Sequence, residues 1–479
     1  MPETGIDKIL NTMINRRTFI KAVGASAATL AVTPGKVLAS SAESRRNIKG
    51  SSDKVNVAFI GIGQKGEDEA NFASQTGLIN VLALCDVNMG HPWTQKVMGM
   101  FPKAKRYTDF RKLFDEMAGQ LDAVFIAVPD FAHFAIAMRA MKENIHVYCE
   151  KPLCRTFHEC QLLLEESRLR PNLITQLGNQ GHSGPAYYQF KSWTEAGIIK
   201  NITRIDAYMN NWRRWHPYDP GIQKFPDPDP MPETMHWDIW QMQALYHDYS
   251  EKFDHGNWRG WYDFGMGALG DWGAHILDSC HQFLDLGLPT EVSLLKGEGQ
   301  NDYFFPKAST IQFKFPRRGS KPALTLTWYD GQENPCPKPE GYEVDFHPED
   351  KGCGKILYGD DYIFAGGAHR TALSIIPKDV QKSLESKGLL PETPAMPADF
   401  LSNHHKNFLN SILGKDKPHS PFEVAVPLCQ VLCLGVIAQR VGGSFHFDRT
   451  THEITDNDFA RSLLAGLPPR KGWEEYYKL

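Results

Sequence analysis

Apolar positions along the chain fall into two kinds of pattern. Val55–Ile60, Ile79–Cys85, Ala123–Val128 and His146–Cys149 are short, nearly unbroken apolar runs. Runs of this length read as strands buried on both faces. Between them, Phe110–Met117 and Phe131–Lys142 carry apolar residues at helical spacing. Strands alternating with helices predict a parallel, doubly wound sheet of the Rossmann type. From about residue 176 the pattern changes. Pro185–Ala196 reads as a helix, and strands are predicted at 202–210, 291–297, 309–315 and 322–329. Ile311, Phe313 and Phe315 alternate with polar neighbours, as in a sheet with one buried face. Helices are predicted over Trp272–Leu286, Asp399–Leu413 and Pro427–Val441, and the Gly- and Pro-rich stretch 331–368 reads as a surface insertion. The expected fold is thus an α/β domain over 54–175 followed by an α+β domain over 176–479.

The first forty residues read as an address. Asn15-Arg16-Arg17-Thr18-Phe19-Ile20-Lys21 resembles the twin-arginine export motif, and an Ala-rich apolar segment follows it to Val37-Leu38-Ala39. Cleavage after Ala39 or Ala42 is expected, with 1–39 as signal and 40–53 as a polar linker. The implied destination is the periplasm, reached as a folded protein. The longest mainly apolar stretch, Ala22–Ala39, is broken by Pro34, Gly35 and Lys36, so no stable membrane insertion is expected from it. Composition narrows the class further. With 42% hydrophobic and 23% charged residues the chain is neither disordered nor fibrous. Its formal net charge of −4 argues against a nucleic-acid binder built on a basic face. Nine cysteines in 479 residues do not make a disulfide scaffold, and no zinc-like Cys-x-x-Cys spacing appears, so no metal is expected. Pairing of Cys336 with Cys353 is left open.

The chemistry begins at Gly61-Ile62-Gly63-Gln64-Lys65-Gly66, a G-x-G-x-x-G placed between a predicted strand and a helix. Gly61 suits the tight turn, Gly63 the approach of a pyrophosphate, and Gly66 the close packing of helix on sheet. Gln64 and Lys65 sit within the same loop. Asp86 ends the second strand twenty residues later, where a carboxylate binds ribose hydroxyls and repels a 2′-phosphate. NAD is therefore expected over NADP, with Lys96 moderating the preference. Pro129, Asp130 and His133 lie beyond the end of another strand, where such sheets bind ligands. Glu150-Lys151-Pro152 follows a further strand end, and a lysine there can meet both nicotinamide ribose and a substrate hydroxyl. Asp271 and His275 are one helical turn apart. His275 can take a hydroxyl proton as hydride leaves carbon, and Asp271 can hold the hydroxyl, orient His275 or cap the helix. Six of the eleven Trp lie between 211 and 264. Indole faces pack on sugar rings, although most Trp in a loop this long serve to anchor it. Trp258, Arg259 and Asp263, nearest Asp271 in sequence, are the expected substrate contacts, with Arg213 a further one.

These motifs in this order resemble the glucose–fructose oxidoreductase/inositol dehydrogenase (Gfo/Idh/MocA) family. The residues that carry the likeness are the glycine loop, Ala127-Val128-Pro129-Asp130-x-x-His133, Glu150-Lys151-Pro152-Leu153 and Gly267-x-x-Gly270-Asp271-x-Gly273-x-His275-x-x-Asp278. The resemblance implies Lys151, Asp271 and His275 as catalytic residues. It places Asn179 and Gln180 near cofactor or substrate, and makes the second domain an open, mostly antiparallel sheet. It also implies assembly as a homo-oligomer, a dimer or tetramer. The activity it implies is NAD-dependent oxidation of a sugar or glycoside ring hydroxyl, the 3-position of glucosides among the precedents. An exported enzyme would hold its NAD tightly and need a second substrate or electron-acceptor partner. Two other readings stay open: an NAD-dependent glycosidase working by transient oxidation, and a non-enzymatic, nucleotide-gated sugar-binding protein. His404, on a helix, is a minor site candidate.

Overall fold

Six parallel strands form the first sheet: β1 Val55–Ile60, β2 Ile79–Cys85, β3 Lys105–Tyr107, β4 Ala123–Ile126, β5 His146–Cys149 and β6 Thr175–Leu177. Their spatial order is β3-β2-β1-β4-β5-β6. This is the Rossmann order, whose direction reverses between β1 and β4 and opens a crevice there. The computed structural model describes residues 53–211, 218–392 and 399–479, so the twin-arginine segment and its cleavage site lie outside the described residues. The predicted strands and helices of this half are present. The three-residue strands β3 and β6 were too short for a periodic signal. The helix Phe157–Leu169 was not among the predicted elements, although it starts with a capping box. The Thr156 hydroxyl accepts from the Glu159 amide (3.1 Å) and the Glu159 carboxylate accepts from the Thr156 amide (3.2 Å).

The second sheet has nine strands. They are β7 Arg204–Met209, β8 Glu291–Glu298, β9 Ala308–Phe315, β10 Leu324–Asp330, β11 Cys353–Tyr358, β12 Ile363–Gly366, β13 Ser374–Ile376, β14 Ser444–Asp448 and β15 Glu453–Ile454. The order is β13-β12-β11-β7-β10-β9-β8-β14-β15, antiparallel except where β7 meets β10. The stretch 331–368 is not a surface insertion. It supplies β11 and β12, and Ile356, Leu357, Phe364 and Ala365 are buried. Its strands were hidden because β11 pairs with β7, about 150 residues earlier, from within a Gly- and Pro-rich context. No disulfide joins Cys336 and Cys353. Their thiols donate to the Pro337 and Asp350 carbonyls instead (3.3 and 3.2 Å).

Two helices place the active residues. The expected single helix Trp272–Leu286 is two, Gly267–Ile276 and Asp278–Phe283. The first starts earlier than predicted because its glycines, costly in an isolated helix, suit close packing here. A Cβ on Gly273 would sit 2.8 Å from Leu432. Asp271 is therefore mid-helix, and the capping role considered for it falls to Met266, which makes no side-chain cap. The packing partner is Phe422–Val441, longer than expected because Pro427 is accommodated inside it at the loss of one backbone hydrogen bond. That helix is long and apolar enough to cross a membrane, yet most of it is buried inside the protein. It is a core helix that joins the two sheets.

Candidate active site

The crevice at the β1/β4 switch is a cleft of about 1010 Å³. Gly61 turns out of β1 with φ +79°, and any Cβ there would press into the Ala127 carbonyl, whose carbon would lie at 2.7 Å. Nothing lies within 4 Å of the Cβ position on Gly63, which faces open cleft. Gly66 lets the helix Lys65–Gln75 seat against the Gly61 main chain. The result is a glycine cradle at a helix N-terminus, the arrangement that takes a pyrophosphate. Asp86 closes the far end. Its carboxylate accepts from the Ile62 and Asn88 amides (2.9 Å each). Burial raises its carboxyl above the usual range, against the pull of those amides. The ribose end is thus lined by a half-buried acid, while Lys96 is occupied by Glu67. Lys65 bridges Glu69 (2.7 Å) and Glu150 (3.7 Å), and Glu69 is held in turn by His405 (2.5 Å). Burial opposes the Lys65 charge, but the two carboxylates outweigh it and raise its pKa. These residues fit a dinucleotide, with open space above Gly63 for the pyrophosphate and a carboxylate at the ribose end.

At the other end of the cleft the Lys151 ammonium donates to the Asp271 carboxylate (2.8 Å) and to the Asp271 main-chain oxygen (2.9 Å). Both side chains are at most one-tenth exposed. Arg259 approaches the same Asp271 oxygen at 3.7 Å and lies over the Trp258 ring. Asp130 accepts from the Met266 amide (3.1 Å). Burial pushes its carboxyl up to about 7, against the pull of Arg259 and Lys151 and with the push of Asp271. Two acids and two cations thus share a poorly hydrated corner, where charge-assisted hydrogen bonds are strong.

His275 lines this cleft, and Asn179 sets its tautomer. The Asn179 amide nitrogen donates to the Ala274 carbonyl (2.9 Å), a pure acceptor, so the amide oxygen must face His275 Nδ1 (2.9 Å). A neutral His275 then carries its proton on Nδ1 and keeps Nε2 as the basic nitrogen. Asn179 itself is buried and does not line the cleft.

The other expected contacts divide. Gln64, Pro129, Glu150, Gln180, Trp258 and Arg259 line the cleft. Asp263 does not. It is buried against His247 (2.9 Å), an anchor of the loop rather than part of the cleft wall. His133 is also outside the lining. It is buried, burial lowers its pKa to about 4, and its neutral ring donates through Nδ1 to the Pro152 carbonyl (2.8 Å), bracing the turn that carries Lys151. His404 is fixed between the Leu177 carbonyl and the Ser183 hydroxyl (2.9 Å each) and is structural. Arg213 lies outside the described residues.

The Trp-rich loop does more than wall a substrate. Trp237 and Trp240 stack on each other (4.4 Å), and Trp261 is fully buried, as anchors are. The loop also crosses the nucleotide end. His236 donates its amide to the Val87 carbonyl (2.8 Å), Thr234 donates to Asn88 (2.7 Å), and Gln64 donates to the His255 carbonyl (3.4 Å). Arg470 pins it from the C-terminal tail, on Asp238 (2.6 Å) and the Met242 carbonyl (2.8 Å). Trp272, His369 and Arg370 also line the cleft and were not anticipated. Trp272 was legible as the neighbour of Asp271, whereas His369 and Arg370 had no local signal.

A Rossmann crevice with a glycine cradle, joined to a mostly antiparallel sheet, defines a dinucleotide-binding architecture. The chain belongs to the Gfo/Idh/MocA oxidoreductase family. The family's NAD-binding Rossmann-fold model matches residues 55–175, and its C-terminal α/β domain model matches residues 193–311. Among curated relatives, inositol 2-dehydrogenase of Salmonella typhimurium is 28% identical over 147 residues, 30% of this chain and 43% of that protein. A glycosyl hydrolase family 109 protein of Shewanella pealeana is 24% identical over 239 residues, 42% of this chain and 51% of that protein. The chain thus matches about half or less of these relatives' length. Among solved structures, the WlbA dehydrogenase of Bordetella pertussis, in complex with NADH and UDP-GlcNAcA, superposes with a TM-score of 0.55 at 13% identity. That match covers 82% of this chain and 99% of that one, and it is a likeness of fold.

Proposed function

We propose that this protein is an NAD(H)-dependent oxidoreductase of a sugar or glycoside ring hydroxyl, working in the periplasm with a retained cofactor. The observation that carries the reading is that Lys151 and His275 line the cleft that also holds the glycine cradle, with the buried Asp271 bonded to Lys151. When bound, the nicotinamide supplies the hydride acceptor. The protein's residues supply the rest. His275 Nε2 takes the hydroxyl proton, Lys151 stabilises the oxygen as its charge develops, and Asp271 holds Lys151 in place. Asp86 favours NAD, since a 2′-phosphate would meet its carboxylate with Lys96 already paired. The loop pinned across the nucleotide end supports retention, and a retained cofactor must be reset by a second substrate or an electron-carrying partner.

The test is to purify the native protein, identify the nucleotide released on denaturation, and follow nicotinamide absorbance with a panel of inositols, sugars and methyl glucosides. NAD(H) near one equivalent and a change with one member of the panel are expected. No bound nucleotide and no change across the panel would reject the reading. The family 109 relative favours a second reading, an NAD-dependent glycosidase, which the same panel separates by release of free sugar without net NADH.

The tautomer argument yields a sharper expectation. Asn179→Asp places a carboxylate on His275 Nδ1 and favours the imidazolium, so the pKa of His275 rises. The base must be neutral to act, so the acid limb of the rate profile should move to higher pH, by about one unit or more. An Asn179→Asp profile superimposable on wild type would dissociate Asn179 from catalysis.

A further inference from the structure

The segment 346–371 brings a second imidazole to the cleft. Asp350, fully buried, accepts from the Arg370 and Thr371 amides (3.1 and 2.7 Å) and clamps the turn that carries His369. Gly367 makes room for Asp350, and Gly181 makes room for His369, whose Cβ would lie 2.8 Å from an added side chain. The His369 ring centre is 4.6 Å from that of His275, at 52°. Both rings line the main cleft and also a cavity of about 20 Å³ behind it, bordered by Asp278, Ser279 and Lys355. His369 Nδ1 is buried with no hydrogen-bond partner among the described residues. Burial lowers its pKa, so the ring is neutral and offers one donor and one acceptor. A buried polar atom left unmatched is costly. The edge of this clamped ring that lines the cleft beside the proposed base is the part a bound ligand can reach.

We propose that His369 is a specificity residue that hydrogen-bonds the hydroxyl next to the reacting one. This rests on the oxidoreductase reading and adds to it which neighbour of the reacting carbon is read. His275 addresses the reacting oxygen, and His369, one ring-width away, addresses its neighbour. A site built to hydrogen-bond a hydroxyl rejects the analogue that lacks it, by a factor of about 10² or more, because its own polar group is then stranded.

The experiment compares the methyl glucopyranosides with their 2-, 3- and 4-monodeoxy counterparts, reading reduction of the bound cofactor in wild type, His369→Phe and His369→Asn. Wild type should lose at least about 100-fold in kcat/KM when the neighbouring hydroxyl is absent. In His369→Phe the parent glycoside should fall while that deoxy analogue barely changes, collapsing the ratio to below about tenfold, with His369→Asn in between. Bound nucleotide at wild-type stoichiometry certifies the fold of each variant. An equal fractional loss on parent and deoxy substrates, or an unchanged ratio, overturns the proposal while leaving the oxidoreductase reading intact. A wild type inert to every glycoside and inositol overturns both.

Discussion

Lys151→Met is expected to lower the rate at which substrate reduces the bound cofactor by about 10²–10⁴, the range attached to a positioned proton-transfer or charge-stabilising group. The methionine keeps the length of the side chain and removes its charge. Asp271 then loses its 2.8 Å partner, and Arg259, at 3.7 Å, is too distant to replace both contacts. Lys151→Arg should rescue little, because the larger, planar guanidinium cannot take the place of the compact ammonium that meets both the Asp271 carboxylate and its main-chain oxygen. The cradle at 61–66 is untouched, so nucleotide released on denaturation should stay near the wild-type amount. Single-turnover reduction by the substrate identified with wild type is the measurement. A Lys151→Met rate within threefold of wild type would remove Lys151 from the chemistry.

The second large effect separates two glycines that look alike in the motif. Gly61→Ala should both unload the cofactor and destabilise the fold. Its φ of +79° strains any L side chain, and the added Cβ would meet the backbone of the neighbouring crossover, Ala127, rather than a movable side chain. A cost of about 3 kcal/mol is expected from strain and overpacking together. For a protein of this size that is a fall in Tm of about 3 °C. Gly63→Ala should leave Tm nearly unchanged, because nothing in the protein lies within 4 Å of its Cβ. It should still lower bound nucleotide sharply, since that open space is where the pyrophosphate comes closest. Thermal unfolding alongside nucleotide content tests both. Equal Tm losses for the two variants would contradict this division of labour.

Much of this was legible in the chain itself. A buried parallel strand is a continuous apolar run, and the glycine cradle is local in sequence, so β1, β2, the loop at 61–66 and Asp86 could be read directly. The spacing of Asp271 and His275 survives in any helix register, and His275 lines the cleft while Asp271 meets Lys151 even though the predicted helix boundaries were displaced. The misreadings share one cause. Asp263 and His133 have the right residue type in the right neighbourhood, but a side chain's destination depends on what packs against it, here His247 and the Pro152 carbonyl.

Sequence alone therefore determined the elements and motifs whose contacts are local: the Rossmann half, the nucleotide fingerprint, and the lysine, aspartate and histidine of the family pattern. Only the tertiary structure decided what depends on partners far apart in the chain. Pairing of β11 with β7 turns an apparent insertion into sheet and carries His369 to His275. The Asn179 amide, 96 residues away, chooses the nitrogen on which His275 holds its proton. The Trp-rich loop reaches the nucleotide end because Val87 and Asn88 offer it a backbone edge. Each of these is a hydrogen bond or close contact between segments with no periodic relation, and a pattern read along one dimension carries no trace of them.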